Sequence, residues 1–229
     1  MKRIGLLGGM SWESSALYYQ AINEGVRERL GGLHSADLVM ISVDFADIER
    51  LQSSGDWERA GDILAEEAIR LERAGASCVV ICTNTMHKVA DRVQAAVGIP
   101  LLHLADVTAA AVVDAGVHRV ALLGTRFTMR EPFYRERLES HGLEVIVPPE
   151  ETQAILDGII YDELVLGVVT DASRAVYREA IAGLIASGAE GVILGCTEIE
   201  LLVRPEDSAV PTFPTTALHA AAAVDFALG

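Results

Sequence analysis

Apolar residues recur along this chain with two alternating signatures. Short runs of Val, Ile and Leu are each followed by a longer stretch in which apolar residues fall three or four apart. The first signature reads as a buried strand and the second as an amphipathic helix. Strands are predicted at 4–7, 38–43, 78–81, 101–104, 120–123, 143–147 and 192–194. Helices are predicted at 12–30, 57–74, 85–97, 107–115, 132–141, 152–166, 173–187 and 215–228. Such alternation predicts an α/β fold with mainly parallel sheets and right-handed crossovers.

The chain also resembles itself. Residues 3–9 read Arg-Ile-Gly-Leu-Leu-Gly-Gly and residues 119–125 read Arg-Val-Ala-Leu-Leu-Gly-Thr, an offset of 116. Residues 75–83, Gly-Ala-Ser-Cys-Val-Val-Ile-Cys-Thr, match 188–197, Gly-Ala-Glu-Gly-Val-Ile-Leu-Gly-Cys-Thr, with the cysteines offset by 114. Two matches in the same order and at nearly the same offset predict a duplicated unit. The expectation is two pseudo-symmetric three-layer α/β domains with an interdomain cleft. The first covers 1–104 plus 210–229, with the last helix packing back on it, and the second covers 105–209. No Gly/Ser- or Pro-rich linker marks the joint, so the domains are expected to pack closely.

Composition narrows the function. Hydrophobic residues make up 51% and aromatics only 5%, which suits Val/Ile/Leu strands buried on both faces. The formal net charge of −15 leaves no basic stripe for nucleic acid and no basic amphipathic segment for anionic lipid. The opening apolar run breaks at Gly8 and Gly9, too soon for a signal peptide, and no apolar run is long enough to span a membrane. A cytoplasmic protein is expected. Its three cysteines then form no disulfide framework.

Two of those cysteines carry the chemistry. Cys82 ends a predicted strand in Ile81-Cys82-Thr83-Asn84-Thr85-Met86-His87, and Cys196 does the same in Leu194-Gly195-Cys196-Thr197-Glu198-Ile199. Ligands of open α/β sheets bind beyond the carboxyl ends of the strands. A helix starting there offers free N–H groups and partial positive charge, which would lower a thiol pKa and suit a substrate carboxylate. Racemisation removes a proton from one face of an α-carbon and returns one to the other, so matched thiols on matched units suit it. Either cysteine taken alone reads better as a small buried hydrophobe; it is the matched pair that favours function. Cys78 keeps that reading; four strand residues separate it from Cys82 by about 13 Å, too far for a disulfide. No zinc-ligand spacing is present. Only Lys2 and Lys88 could form a pyridoxal Schiff base, and neither has a supporting motif, which favours chemistry without a cofactor. His87 could tune Cys82 or simply cap or face a helix. In the glycine turn Gly8-Gly9-Met10-Ser11, Met10 and Ser11 could approach a ligand, or Ser11 could cap the next helix.

With these motifs located, the chain resembles the aspartate/glutamate racemase family, in particular its bacterial aspartate/glutamate or broad-specificity branch. The likeness rests on residues 8–14, 33–36, 42–45, 82–88, 121–125 and 195–199. It implies catalytic thiols at Cys82 and Cys196 and substrate contacts from Met10, Gln52, Thr83, Asn84, Thr85, Thr125 and Thr197. It further implies a cleft site for a small amino acid, no cofactor or metal, and a homodimer. Two departures stand out. The segment 159–167 lacks the lysine that some aspartate racemases use for the side-chain carboxylate, and Arg50 or Arg126 would have to replace it. The second motif reads Cys-Thr-Glu, not the Cys-Thr-His of cell-wall glutamate racemases. The same superfamily hosts hydantoin racemases, maleate isomerases and arylmalonate decarboxylases, and a non-catalytic amino-acid-binding protein is a further alternative.

Overall fold

The computed structural model describes residues 1–229. The chain forms two compact units, 1–104 with 219–229, and 105–218. The first runs β1 (Ile4–Gly8), α1 (Trp12–Leu30), β2 (Leu38–Ser42), α2 (Phe45–Ser54), α3 (Trp57–Arg73), β3 (Cys78–Ile81), a 3₁₀ turn (Thr85–Val89) and α4 (Ala90–Ala96). Its strands lie in the order β2-β1-β3, every pair parallel. Side chains alternate across this sheet. Ile4, Leu6, Cys78, Val80 and Cys82 pack with Tyr18, Ile22 and Val26 of α1, while Leu7, Val79 and Ile81 pack with Leu64, Ala68 and Leu71 of α3. One apolar cluster on each face gives the expected three layers.

The second unit continues with α5 (Leu104–Asp114), β4 (Arg119–Gly124), α6 (Arg126–Arg130), α7 (Pro132–Glu139), β5 (Glu144–Ile146), α8 (Glu150–Asp162), a 3₁₀ turn (Leu164–Leu166), α9 (Asp171–Ala186), β6 (Gly191–Gly195), α10 (Thr197–Leu202), a 3₁₀ turn (Pro205–Asp207) and β7 (Thr212–Pro214). Its parallel sheet is ordered β5-β4-β6-β7, so the first three strands repeat the order of the first unit. The chain ends in α11 (Thr215–Leu228).

The final helices of the two halves are exchanged. Leu101 makes a parallel bridge with Val79, as β7 pairs with β6, and a helix follows each. Yet α5 belongs to the second unit from Ala105, and α11 belongs to the first from His219. Ala220, Ala223, Val224 and Ala227 of α11 fill the α1 side of the first sheet. At Gly25 a Cβ would come within 3.1 Å of Val224, so that glycine lets α1 and α11 approach closely.

Several boundaries differ from the sequence expectation. The strand expected at 101–104 is a single bridge, because the chain turns into α5 at Leu104. The helix expected at 85–97 is a 3₁₀ turn followed by α4; His87 N–H bonds Asn84 O, a tighter i→i−3 link. The return to the first unit falls at 219, not 210, because β7 pairs with β6 and keeps 210–218 in the second unit. Helix α2 has no counterpart in the prediction. Only Ile48 and Gln52 of its residues are buried, too few for an apolar stripe.

Candidate active site

In the first unit the loops after β1 and β3 meet. The Cys82 N–H bonds Leu7 O at 2.9 Å, which carries the β1–β3 pairing one residue beyond β3. Ser14 Oγ in the first turn of α1 donates to the Cys82 carbonyl at 3.0 Å. Gly9 has φ 91°, and a Cβ there would lie 2.2 Å from the Val43 carbonyl oxygen, so only glycine fits. Its N–H bonds Ser15 Oγ at 2.8 Å. Ser11 caps α1, its side chain accepting from Ser14 N–H. Met10 is buried in the cluster of Leu7, Ile48 and Met86. Gln52, buried on α2, brings Nε2 to 3.0 Å from Met86 Sδ. Thr83, Asn84 and Thr85 follow Cys82, and His87 anchors them through its Nδ1 at 2.8 Å from Thr83 O.

In the second unit the matching place lies after β4 and β6. Gly124 and Gly195 stand in register on these neighbouring strands. A Cβ on Gly195 would lie 2.7 Å from Leu123 O, and one on Gly124 3.0 Å from both Gly195 O and Thr128. Side chains are thus kept out immediately before Thr125 and Cys196. Thr125 caps α6 by accepting from Thr128 N–H. Cys196 occupies the N-cap position of α10 in an extended conformation. Its Sγ donates to Glu198 Oε2 at 2.9 Å. Thr197 is buried, its Oγ1 accepting from Thr216 Oγ1 at 3.0 Å.

The two thiols differ in setting. Cys82 is fully buried with its Sγ in the α1–α11 cluster, and the oxygen near it is Val80 O at 3.8 Å. Burial pushes its thiol well above the usual range. Cys196 is also pushed well up, first by burial and then by the neighbouring Glu198 carboxylate. Helix-terminus lowering of both thiols, the sequence expectation, is therefore outweighed by desolvation. Glu200, which accepts from Thr216 N–H at 2.7 Å, is raised to about 7, chiefly by burial.

The structure thus gathers Met10, Gln52, Cys82, Thr83, Asn84 and Thr85 in one unit, and Thr125, Cys196 and Thr197 in the other. The cations offered as carboxylate partners have other contacts. Arg50 pairs with Asp47 on the exposed face of α2, and the Arg126 guanidinium lies 5.7 Å from the Phe127 ring centroid. Lys88 lies over Trp57 at 3.9 Å. Segment 159–167 forms the end of α8 and an apolar 3₁₀ turn. Glu198 is the functional candidate that sequence reasoning passed over. It was visible only as a departure from Cys-Thr-His, whereas the structure shows its carboxylate accepting the hydrogen bond of the Cys196 thiol.

Parallel sheets in two like-ordered units, each with a cysteine just past its third strand, define a class that comparison with known proteins identifies. The chain belongs to the Asp/Glu/Hydantoin racemase family, whose pattern matches residues 7–223. It is 53% identical to a Yersinia pestis protein classed with the Asp/Glu racemases, whose crystal structure superposes with a TM-score of 0.95 over 100% of both chains. An aspartate racemase homologue from Pyrococcus horikoshii OT3 gives a TM-score of 0.89 at 36% identity, again over 100% of both chains. The broad specificity amino-acid racemase RacX of Bacillus subtilis (strain 168) is 21% identical over 224 residues, 96% of each chain. The family's reaction class is isomerisation. No helix is long and apolar enough to cross a membrane.

Proposed function

We propose that this chain is an amino-acid racemase that works without pyridoxal phosphate and uses Cys82 and Cys196 as opposed acid and base. The observation that carries the reading is the recurrence of a cysteine immediately after the third strand of each unit, β3 and β6. One thiolate takes the α-proton, the α-carbon flattens, and the other thiol delivers its proton to the opposite face. For the reverse enantiomer the roles exchange. Glu198 accepts the hydrogen bond of the Cys196 thiol and its charge holds the proton on sulfur, which suits Cys196 to the acid role in the resting protein. Thr83, Asn84, Thr85, Thr125 and Thr197 offer donors for the substrate carboxylate, and Met10 and Gln52 complete the contacts. The engagement of both lysines with aromatic rings, Lys2 over Phe226 and Lys88 over Trp57, supports a mechanism without a Schiff base.

Aspartate and glutamate head the substrate list, on the strength of the Yersinia and Pyrococcus relatives. The lack of a lysine in 159–167 and the likeness to RacX favour a broader range. We further propose a cytoplasmic homodimer. Three free cysteines suit a reducing compartment. On α1, Trp12, Tyr19 and Leu30 fall along one exposed stripe with Glu13 near its start and Arg27 near its end, so an antiparallel second copy would meet both apolar and opposite-charge partners.

A second reading rests on the asymmetry of the thiols. Cys82 lies among apolar side chains with no carboxylate beside it, as a core cysteine would. Chemistry with one thiol, at Cys196 with Glu198, would then resemble a decarboxylase or a maleate isomerase. Proton NMR in D₂O without pyridoxal phosphate, with L-aspartate, L-glutamate and neutral amino acids, separates the readings. Deuterium at the α-carbon with matching loss of optical rotation supports racemisation. A succinyl adduct on Cys196 with maleate supports the isomerase, and binding with no exchange or adduct supports a binding protein.

A further inference from the structure

The buried imidazoles of the first unit have fixed hydrogen positions. The Leu104 N–H donates to His87 Nε2 at 3.2 Å, so that nitrogen carries no proton. The ring hydrogen is therefore on Nδ1, where the Thr83 carbonyl accepts it at 2.8 Å. His219 obeys the same logic. Its Nε2 donates to Leu102 O at 2.7 Å, and its Nδ1 accepts from Tyr18 Oη at 2.9 Å. The rings of His103 and His219 stand edge-on to His87 at 4.8 and 5.7 Å between centroids.

These bonds fall at particular places in the chain. Leu104 opens α5, and its amide is one of the helix-start donors that have no partner within the helix. Leu104 is also the last residue before the chain enters the second unit, and His219 is the first after it returns. Thr83 is the residue after Cys82. One imidazole thus joins the turn that follows the thiol to the point where the backbone leaves the unit.

We propose that His87 is a positioning residue. By clamping the Thr83 carbonyl to the first amide of α5, it holds Thr83, Asn84 and Thr85 at the orientation the amino-acid site needs. This rests on the racemase reading for its effect on turnover, but the clamp itself does not. Burial and the two neighbouring imidazoles keep the His87 ring neutral, with its pKa well below the ordinary value. A proton on Nε2 would cancel the bond from Leu104 and set a cation at the positive end of a helix.

The test pairs ring ¹⁵N NMR on the wild-type protein with kinetics on His87→Ala, His87→Asn and His87→Gln. The expected spectrum shows the neutral Nδ1–H tautomer from pH 8 down to 5. A ring that titrates near 6.5, or carries its hydrogen on Nε2, overturns the clamp. His87→Ala is expected to lower kcat by roughly 10²-fold, the cost of an ångström-scale misplacement, with its far-UV circular dichroism unchanged. His87→Asn keeps a donor close to the Nδ1 position and is expected to recover most of that loss. His87→Gln carries its amide out to the Nε2 position, where its oxygen can accept from Leu104 but no donor is left beside Thr83 O, and is expected to recover little. An alanine variant that loses stability but retains wild-type kcat overturns the positioning role. A wild-type chain that racemises no amino acid overturns the racemase reading and the positioning role with it, while the NMR arm, which needs no substrate, still decides the clamp.

Discussion

At Cys196 the thiol hydrogen has a carboxylate partner, because Glu198 Oε2 accepts from it at 2.9 Å and holds the proton on sulfur. At Cys82 the nearby oxygen is a carbonyl at 3.8 Å, which can take no proton. The proposed two-base chemistry is therefore unequal on its two sides. Glu198→Gln preserves the size of the side chain but removes the charge that holds the proton on Cys196, and is expected to lower kcat most in the direction that uses Cys196 as the acid, by about 10²–10⁴-fold, the usual worth of general acid–base catalysis. Steady-state polarimetry from each enantiomer checks this. Cys82→Ala and Cys196→Ala are each expected to abolish racemisation while leaving the fold intact. α-Proton exchange in D₂O, measured separately for the D and L forms, assigns a face to the remaining thiol; full activity in either variant would sink the two-base assignment. The place of both cysteines just past a strand was legible in the sequence because each ends an apolar run and opens a polar one. Glu198 was not read as a partner, since a sequence does not say which way the second residue after a thiol turns. Nor did it show that burial would outweigh the helix ends in setting the thiol pKa.

At the level of elements, the strands were the most readable, because β1, β3 and β6 are apolar throughout, β4 is so after Arg119, and all are buried on both faces. Short polar elements such as α2 carried no such signal, and the 3₁₀ turn at Thr85–Val89 arises from tertiary anchoring of His87. Turn glycines divide by what surrounds them. Gly9→Ala meets backbone at 2.2 Å and is expected to cost about 3 kcal/mol or more, whereas Gly167→Ala, with φ 74° and open space around it, should cost about 1–2 kcal/mol. Urea denaturation distinguishes the two. Two element junctions also set opposing pH responses. His87 and His219 titrate lower when folded, His219 near 4, so their contribution is complete above the unfolded value near 6.5 and is lost as pH falls through the folded values. Glu200, raised to about 7, contributes below its unfolded value near 4.5 and loses that contribution as pH rises through 7. Urea midpoints measured from pH 4 to 8 should show a shallower acid limb in His219→Gln and a smaller loss between about 4.5 and 7 in Glu200→Gln.

For the whole molecule, the internal repeat made the two-unit organisation legible, and the return of the last helix to the first unit belonged to the same expectation; what the sequence did not mark is the crossing point, at 219 and not 210, because the short β7 at Thr212–Pro214 carries too little apolar run to announce its pairing with β6. The proposed dimer predicts a sedimenting mass of about 49 kDa, twice the 24.5 kDa of the chain. Charged substitutions at Trp12 and Tyr19 should return it to the monomer if the α1 stripe is the contact; a wild-type monomer at micromolar concentration would remove the dimer. The exchange of helices also sets an order of events during synthesis. Residues 219–229 leave the ribosome only after the whole of 105–218 has been made, and without them the α1 side of the first sheet lacks one of its two covering helices. At about 5–20 residues per second, those intervening 114 residues occupy roughly 6–23 s. For that interval the nascent N-terminal half carries an apolar seam beside α1 where Ala220, Ala223, Val224 and Ala227 will later pack, a natural target for holdase chaperones.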